Sequence, residues 1–322
     1  MKYEKQIKTL NVYDIIKENI QNNKLSQAYL FLCEDSITNN LLALSVSKLI
    51  LCKNQNACGV CKSCSLFESE SNPDLLVYPK DKNFIVDDAV EIYNKVQIKP
   101  LYSNYKIFLI NNIDVSTVQA QNKMLKIIEE PPHNVIFILT ATSEDKVLQT
   151  IKSRCQILRV NKFNNEVISE ILSLEKGDNL DIALALGEGY IGKSIDILNN
   201  QKFNENYKNM FNFIKNFKKS DQIPSFYEYF SKDRAGFELN LLLLNDFYRD
   251  ALMCGLGSEK FVKNKNILND IKQIAVDYSL SALNQILKLR NNYKKMLDSN
   301  VLPSLLLDNF LMDILEVKFV CK

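Results

Sequence analysis

Residues 106–140 read KIFLINNIDVSTVQAQNKMLKIIEEPPHNVIFILT. The two ends, Lys106–Ile110 (KIFLI) and Val135–Thr140 (VIFILT), are short apolar runs that read as buried strands. Between them the pattern changes to a helix. Ser116 suits an N-cap, VQAQNKMLKII carries the turns, and Pro131 cannot continue them. Glu129 and Glu130 then crowd the C-terminal end, where each opposes the helix dipole by roughly a few tenths of a kcal/mol. Such a tip is either a solvated terminus or a contact for something outside the domain. Working outward, Ala28–Leu32 (AYLFL), Asp74–Tyr78 and Gln156–Val160 are further strand candidates, and Leu41–Leu51 reads as a helix. Strands alternating with helices imply a parallel sheet covered on both faces. After Phe163 the strand signal stops. Residues 164–200 read as short helices, and 204–322 carries long 3.6-residue periods such as Glu238–Leu252 and Ser281–Leu297.

Four of the eight cysteines, Cys52, Cys58, Cys61 and Cys64, form a C-x5-C-x2-C-x2-C array. Thiolates so spaced suit a tetrahedral zinc ion with Zn–S distances of about 2.3 Å, and four protein ligands leave no open position, which points to a structural site. Two disulfides or a redox-active C-x-x-C pair are the competing readings. The intervening residues are polar and turn-prone, as a knuckle loop requires. Cys33, Cys155, Cys254 and Cys321 are scattered.

Composition sets limits. The 322 residues suffice for two or three domains. Forty basic against 38 acidic residues leave a net charge of +2, too little for a strong stand-alone nucleic-acid binder. No signal-peptide core and no run of membrane-spanning length is present, so the expectation is a reduced, cytoplasmic protein with no membrane association. His133, the single histidine, follows the double proline and suggests no catalysis. The lysine groups at 215–219 and 288–295 read as solvated helix faces.

Several motifs together resemble the clamp-loader branch of the AAA+ proteins. Asn122, Leu125, Lys126, Glu129, Glu130, Pro131 and Pro132 match its helix-to-double-proline pattern. Ser153-Arg154-Cys155 matches its S-R-C motif, and Gly189-Tyr190-Ile191-Gly192-Lys193 its sensor-2 stretch. Asn300-Val301-Leu302-Pro303 resembles the start of a collar helix, and the cysteine array fits the same branch. The resemblance implies an α/β AAA+-like domain at 1–163 with a zinc module at 52–64. A small helical lid at 164–203 and an all-α collar at 204–322 would follow.

The family's nucleotide chemistry is missing. A G-x-x-x-x-G-K-[ST] loop should follow the first strand and cradle phosphates. Here that segment is Cys33-Glu34-Asp35-Ser36-Ile37-Thr38-Asn39-Asn40, without glycine and with Asn39 at the lysine position. Glu34 and Asp35 lie where a polyphosphate would sit, and each like-charge contact costs roughly 1 kcal/mol at about 4 Å even in water. Asn111 and Asn112 replace the magnesium-binding carboxylates, leaving Asp114 as the acid. No ATP of its own is therefore expected. Arg154 is retained, and the resemblance makes it an arginine finger acting in trans, with Ser153 and Cys155 as motif neighbours. Lys193 is expected to pack or ion-pair. The implied role is a non-hydrolysing stator of the bacterial DNA polymerase III clamp loader. Its implied partners are gamma/tau-like ATPase subunits, the delta subunit, and through them the sliding clamp and primed DNA. The alternatives are an ATP-hydrolysing motor subunit of the same loader, or a zinc-dependent nucleic-acid-binding module.

Overall fold

The computed structural model describes residues 2–175, 180–299 and 301–320. Two compact units emerge: residues 1–175 with 188–193, and residues 176–187 with 194–322.

The first unit is an α/β domain. Its elements are α1 (Glu4–Ile7), α2 (Asn11–Gln21), β1 (Ala28–Leu32), α3 (Ser36–Leu51), α4 (Lys62–Glu68), β2 (Leu75–Tyr78), α5 (Val86–Lys95), β3 (Lys106–Ile110), α6 (Val118–Glu129), β4 (Val135–Ala141), α7 (Gln149–Lys152), β5 (Gln156–Arg159) and α8 (Asn165–Ser173). The five strands form one sheet in the order β2-β3-β4-β1-β5, with every pairing parallel. The register sets Leu30 beside Leu139 and Ile157, so β1 lies between β4 and β5. Alternate side chains of β1, β3 and β4 point to opposite faces. Leu30, Phe108, Ile110, Phe137 and Leu139 meet Ala89 and Ile92 of α5 and Ala120, Met124 and Ile127 of α6. The alternate set, Tyr29, Phe31, Ile107, Leu109, Ile136 and Ile138, is equally buried. A sheet buried on both faces requires continuous apolar strands, which is why KIFLI and VIFILT show no polar alternation.

Local boundaries differ from the sequence reading in informative ways. Thr117, not Ser116, caps α6, its side chain accepting from the Ala120 amide at 3.2 Å. Ser116 instead closes the preceding 3-10 turn, donating to the Ile113 carbonyl at 2.6 Å. The helix after β1 begins at Ser36, five residues before the apolar run, because Asp35 caps it. Asp74 is not in β2. Its buried carboxylate accepts from the amides of Leu101, Tyr102 and Ser103 at 2.6, 2.8 and 2.9 Å and so anchors the loop before β3.

The second unit is helical among its described residues. It comprises α9 (Leu180–Leu186), α10 (Ile191–Asn199, entering from the first unit), α11 (Gln201–Asn216), α12 (Ile223–Phe226), α13 (Arg234–Gly255), α14 (Leu268–Asp277), α15 (Leu280–Asp298) and α16 (Pro303–Val320), with short 3-10 turns between. An aromatic cluster fills part of its core. Phe213 meets Phe217, Phe226 and Phe230 at ring-centroid distances of 4.7, 5.3 and 5.3 Å. Three of the lysines read as solvated are 41–57% exposed and also hold surface ion pairs: Lys215 with Asp270, Lys218 with Asp277 and Lys294 with Glu238. Asn300, at the start of the collar-like motif, and Cys321 lie outside the described residues. No helix is long and apolar enough to cross a membrane among the described residues.

Candidate functional site

In a parallel sheet the carboxyl ends of the strands gather the loops that do chemistry. Here β1 ends at Leu32, β3 at Ile110 and β4 at Ala141. Three segments meet there: 33–40, 111–114 and 142–143.

The first segment turns into α3 at Asp35, which is only 6% exposed. Its Oδ2 accepts from the Thr38 amide at 3.0 Å, the Thr38 hydroxyl at 2.5 Å and the Gly192 amide at 2.8 Å. The Thr38 hydroxyl in turn accepts from the Ile191 amide at 3.1 Å. Ile191 and Gly192 open α10, so the N-termini of α3 and α10 both aim at one carboxylate. Helix N-termini favour anions through free amides and the helix dipole. The sequence reading treated Glu34 and Asp35 alike, as charges that repel a phosphate. Tertiary structure separates them: Asp35 turns inward and occupies the anion position, whereas Glu34 turns outward and meets Lys193 at 3.4 Å. Lys193 also approaches Glu188 at 3.6 Å and lies 4.8 Å from the centre of the Tyr190 ring. Its expected ion-pair role is what is observed.

Asn39, at the expected lysine position, is fully buried. Its Nδ2 donates to the carbonyls of Phe31 and Ala141, both at 3.1 Å, and so ties the end of β1 to the end of β4. It does not reach toward any ligand space. Asn40 accepts from the Thr140 hydroxyl at 3.3 Å. Cys33 is buried, and burial pushes its thiol up to about 11.

The 111–114 segment also serves the protein's own backbone. Asn112 sits in the left-handed region at φ 52°, which asparagine tolerates better than most residues. Its amide donates to the Thr140 hydroxyl at 2.9 Å. Asp114, the surviving acid, is buried and accepts from the amides of Thr142 and Ser143 and from the Thr142 hydroxyl at 2.8–3.1 Å. It is a structural brace for the turn after β4.

Arg154 lies in the turn between α7 and β5 and is 35% exposed. Its guanidinium pairs with Glu129 at the tip of α6, and its Nη1 donates to the Thr150 carbonyl at 2.9 Å and the Ser153 hydroxyl at 3.3 Å. Glu129 therefore has a partner inside its own domain, which neither reading of the acidic tip anticipated. Ser153 donates to the Thr150 carbonyl at 3.1 Å. Cys155 packs against the sheet core, and burial alone pushes its thiol up to about 12, so it is a packing group and not a nucleophile.

The four array cysteines converge, their sulfurs lying within 4.8 Å of one another. Cys52 Sγ and Cys58 Sγ are 3.7 Å apart. That is far beyond a disulfide bond of about 2.05 Å. It equals one edge of a tetrahedron with metal–sulfur bonds of about 2.3 Å, roughly 3.8 Å. Amides point at the sulfurs: Cys58 N–H at Cys52 Sγ and Cys61 N–H at Cys58 Sγ, both 3.4 Å. Burial pushes the Cys52 thiol up, but the amides of Cys58, Asn56 and Asn54 outweigh it and bring it down to about 6. Burial, together with the neighbouring Cys61 and Cys52, raises Cys64 far above its ordinary value. Four thiolates cannot all ionise at such range without a cation, so the donor set fits a bound metal ion. The loop between them carries Gln55 and Ala57 at φ 55° and 53°, a strained conformation for non-glycine residues.

Sequence reasoning named the 33–40 and 111–114 segments but not 142–143, and missed Thr38, Thr140, Thr142, Ser143, Ile191 and Gly192 as hydrogen-bonding members. An Asp-x-x-Thr spacing before an apolar run is an N-cap signal and marked Thr38 in principle. Nothing local marked the bonds of the other five.

Two family descriptions match the chain. "DNA polymerase III, delta subunit" matches residues 8–164, and "DNA polymerase III, delta subunit, C terminal" matches residues 201–316. Subunit delta' of DNA polymerase III from Bacillus subtilis (strain 168) is 26% identical over 300 residues, covering 90% of this chain and 91% of the relative. Subunit tau from the same organism is 29% identical over 199 residues, covering 57% of this chain but 35% of the relative. Among solved structures, a gamma subunit-related protein from Thermotoga maritima aligns over 95% of this chain and 99% of its own, with a TM-score of 0.43 and 18% identity. The Bacillus subtilis clamp loader delta protein aligns over 94% and 99%, with a TM-score of 0.36 and 12% identity.

Proposed function

The chain belongs to the delta-prime family of DNA polymerase III clamp-loader subunits, and from that premise we propose that it is a stator that does not hydrolyse ATP itself. The observation that carries this reading is Asp35. A carboxylate of the chain already fills the anion position at the start of α3, held by donors at 2.5–3.0 Å. A nucleotide phosphate arriving there meets a negative charge, and the Thr38 and Gly192 amides are already taken. Asn39 Nδ2 and Asp114 Oδ2 support the same reading, because both atoms are committed to the protein's own backbone. The test is binding of a fluorescent ATP analogue to the full chain. No saturable binding is expected up to millimolar nucleotide, and micromolar, Mg²⁺-dependent binding would return the chain to the motor-subunit reading.

In this proposal Arg154 is the contribution to catalysis, offered in trans to a phosphate held by a neighbouring gamma/tau-like subunit. Ser153 orients the guanidinium, and Cys155 anchors the motif to the core. Delta, the sliding clamp and primed DNA are engaged through the complex, in the bacterial cytoplasm. The four cysteines are read as holding one structural Zn²⁺, which braces the excursion between α3 and α4 and takes no part in a reaction. We read 164–203 as a lid and 204–322 as a collar.

The collar assignment draws support from α16. Its buried face carries Leu306, Phe310, Leu311 and Ile314, yet Leu305 and Met312, seven residues apart on a second face, are each more than half exposed. A helix apolar on two faces buries only one within its own unit. Met312→Glu is expected to leave the isolated chain folded, with its melting temperature changed by no more than about 2 °C. It is expected to lower the fraction recovered in the assembled loader by size-exclusion chromatography. Undiminished incorporation counts against α16 as a subunit contact.

A further inference from the structure

We infer that Asp35 is a built-in ligand: its carboxylate takes the place of a bound phosphate and holds residues 190–193 on the α/β unit independently of nucleotide. This rests on the reading that the chain binds no ATP.

The case starts from the first two amides of α10. Gly192 N–H donates to Asp35 Oδ2 at 2.8 Å, and Ile191 N–H donates to the Thr38 hydroxyl, which itself donates to the same Oδ2. Both amides therefore depend on one carboxylate oxygen, directly or through one hydroxyl. Asp35, Thr38 and Ile191 are all buried, so water does not substitute for these bonds. The approach also demands that residue 192 lack a side chain. A Cβ there would stand 2.2 Å from Asp35 Oδ1 and 2.9 Å from its Cγ. Asp35 cannot retreat, because the Thr38 amide and hydroxyl hold it as the cap of α3. The outer contact, Lys193 with Glu34 at 3.4 Å, is exposed and contributes little by comparison.

A phosphate bound at such a place is present only while nucleotide is. A carboxylate on the same chain is always present, and its capture costs no translational freedom. A glycine-rich loop closes on its ligand, whereas this segment carries its ligand with it. The consequence is a 190–193 segment whose arrangement does not follow ATP binding and hydrolysis.

Amide hydrogen exchange on the full-length chain tests this directly. In the wild type, Ile191 and Gly192 are protected to the same degree with and without Mg-ATP. In Asp35→Ala the Gly192 and Ile191 amides exchange about 10–100-fold faster, the factor for losing a hydrogen bond to a charged acceptor. Asp35→Asn, which keeps one acceptor oxygen without the charge, falls between. Gly192→Ala accelerates the same amides in the wild-type background but adds little in Asp35→Ala, because the atoms it collides with are gone. Unchanged protection at residues 191 and 192 in a folded Asp35→Ala chain overturns the proposal, as does simple additivity of the Asp35 and Gly192 substitutions. If Asp35→Ala does not fold, unchanged protection in both Asp35→Asn and Gly192→Ala overturns it. Binding of ATP by the wild-type chain counts against the stator reading alone and leaves the exchange behaviour of these variants to decide this one.

Discussion

If Arg154 is the proposed finger, a reconstituted clamp loader carrying Arg154→Ala is expected to hydrolyse ATP about 10³-fold or more slowly at the site the finger serves, while the complex still assembles. Arginine fingers contribute about 10³–10⁵ in rate, or roughly 4–7 kcal/mol of transition-state stabilisation. Against this stands the pair that holds Arg154 in the isolated chain. Its partners are 35% and 43% exposed, and exposed pairs contribute only about 0.2–1 kcal/mol. A pair this exposed is weak enough to be exchanged for a phosphate, so the observed pairing is compatible with the proposed finger. Arg154→Lys keeps the charge but loses the planar fork of donors, and is expected to recover only a minor part of the rate. Single-turnover hydrolysis with DNA and clamp present is the measurement. Total turnover falls by the share that this one site carries, and clamp loading falls with it. An assembled loader with Arg154→Ala that matches wild type in both would remove the finger assignment. The exposed pair also predicts that the variant's own folding stability drops by no more than about 1 kcal/mol.

Removing the proposed metal ion from the cysteine cluster has the largest expected structural effect. Metal analysis of the purified protein should find one zinc per chain. Structural zinc sites supply about 10–16 kcal/mol of apparent binding energy in peptides. The loop they hold here has little else to hold it: Gln55 and Ala57 occupy left-handed backbone, and of the residues between the cysteines only Ala57 and Ser63 are buried. Chelation, or Cys64→Ser, is therefore expected to unfold residues 53–62 and loosen α4. The damage has a natural stop. Ser63 bonds Ser103 at 2.8 Å and accepts from Asn72 at 3.0 Å, and Asn72 fixes Asp74 at the head of β2. Hydrogen exchange should show loss of protection from about Lys53 to Ser71, with the sheet amides unchanged. Full protection of the loop after chelation would show that its packing suffices without metal.

Much of this protein was legible in one dimension because its signals are local. Continuous apolar runs such as KIFLI and VIFILT mark strands buried on both faces, since a covered parallel sheet leaves no polar side to alternate with. Pro131 marks a helix end because it cannot bond backward. The cysteine spacing marks a metal loop because four soft donors within thirteen residues have few other uses. The absent glycines and lysine of the 33–40 segment are local too. What failed locally were caps, where neighbouring hydroxyls such as Ser116 and Thr117 compete on equal chemistry and only backbone direction decides between them.

The sequence by itself thus determined the layered α/β architecture, the helical remainder, the four-cysteine array and the absence of a glycine-rich phosphate loop, all properties of neighbouring residues. Tertiary structure decided what became of the vacated chemistry. Asp35 turns inward to meet an amide 157 positions away, Asn39 joins two strand ends of which one lies 102 positions from it, and Glu129 turns to Arg154. A charge read along the chain carries only its sign. Whether it repels a ligand or replaces one depends on which distant donors the fold brings to it.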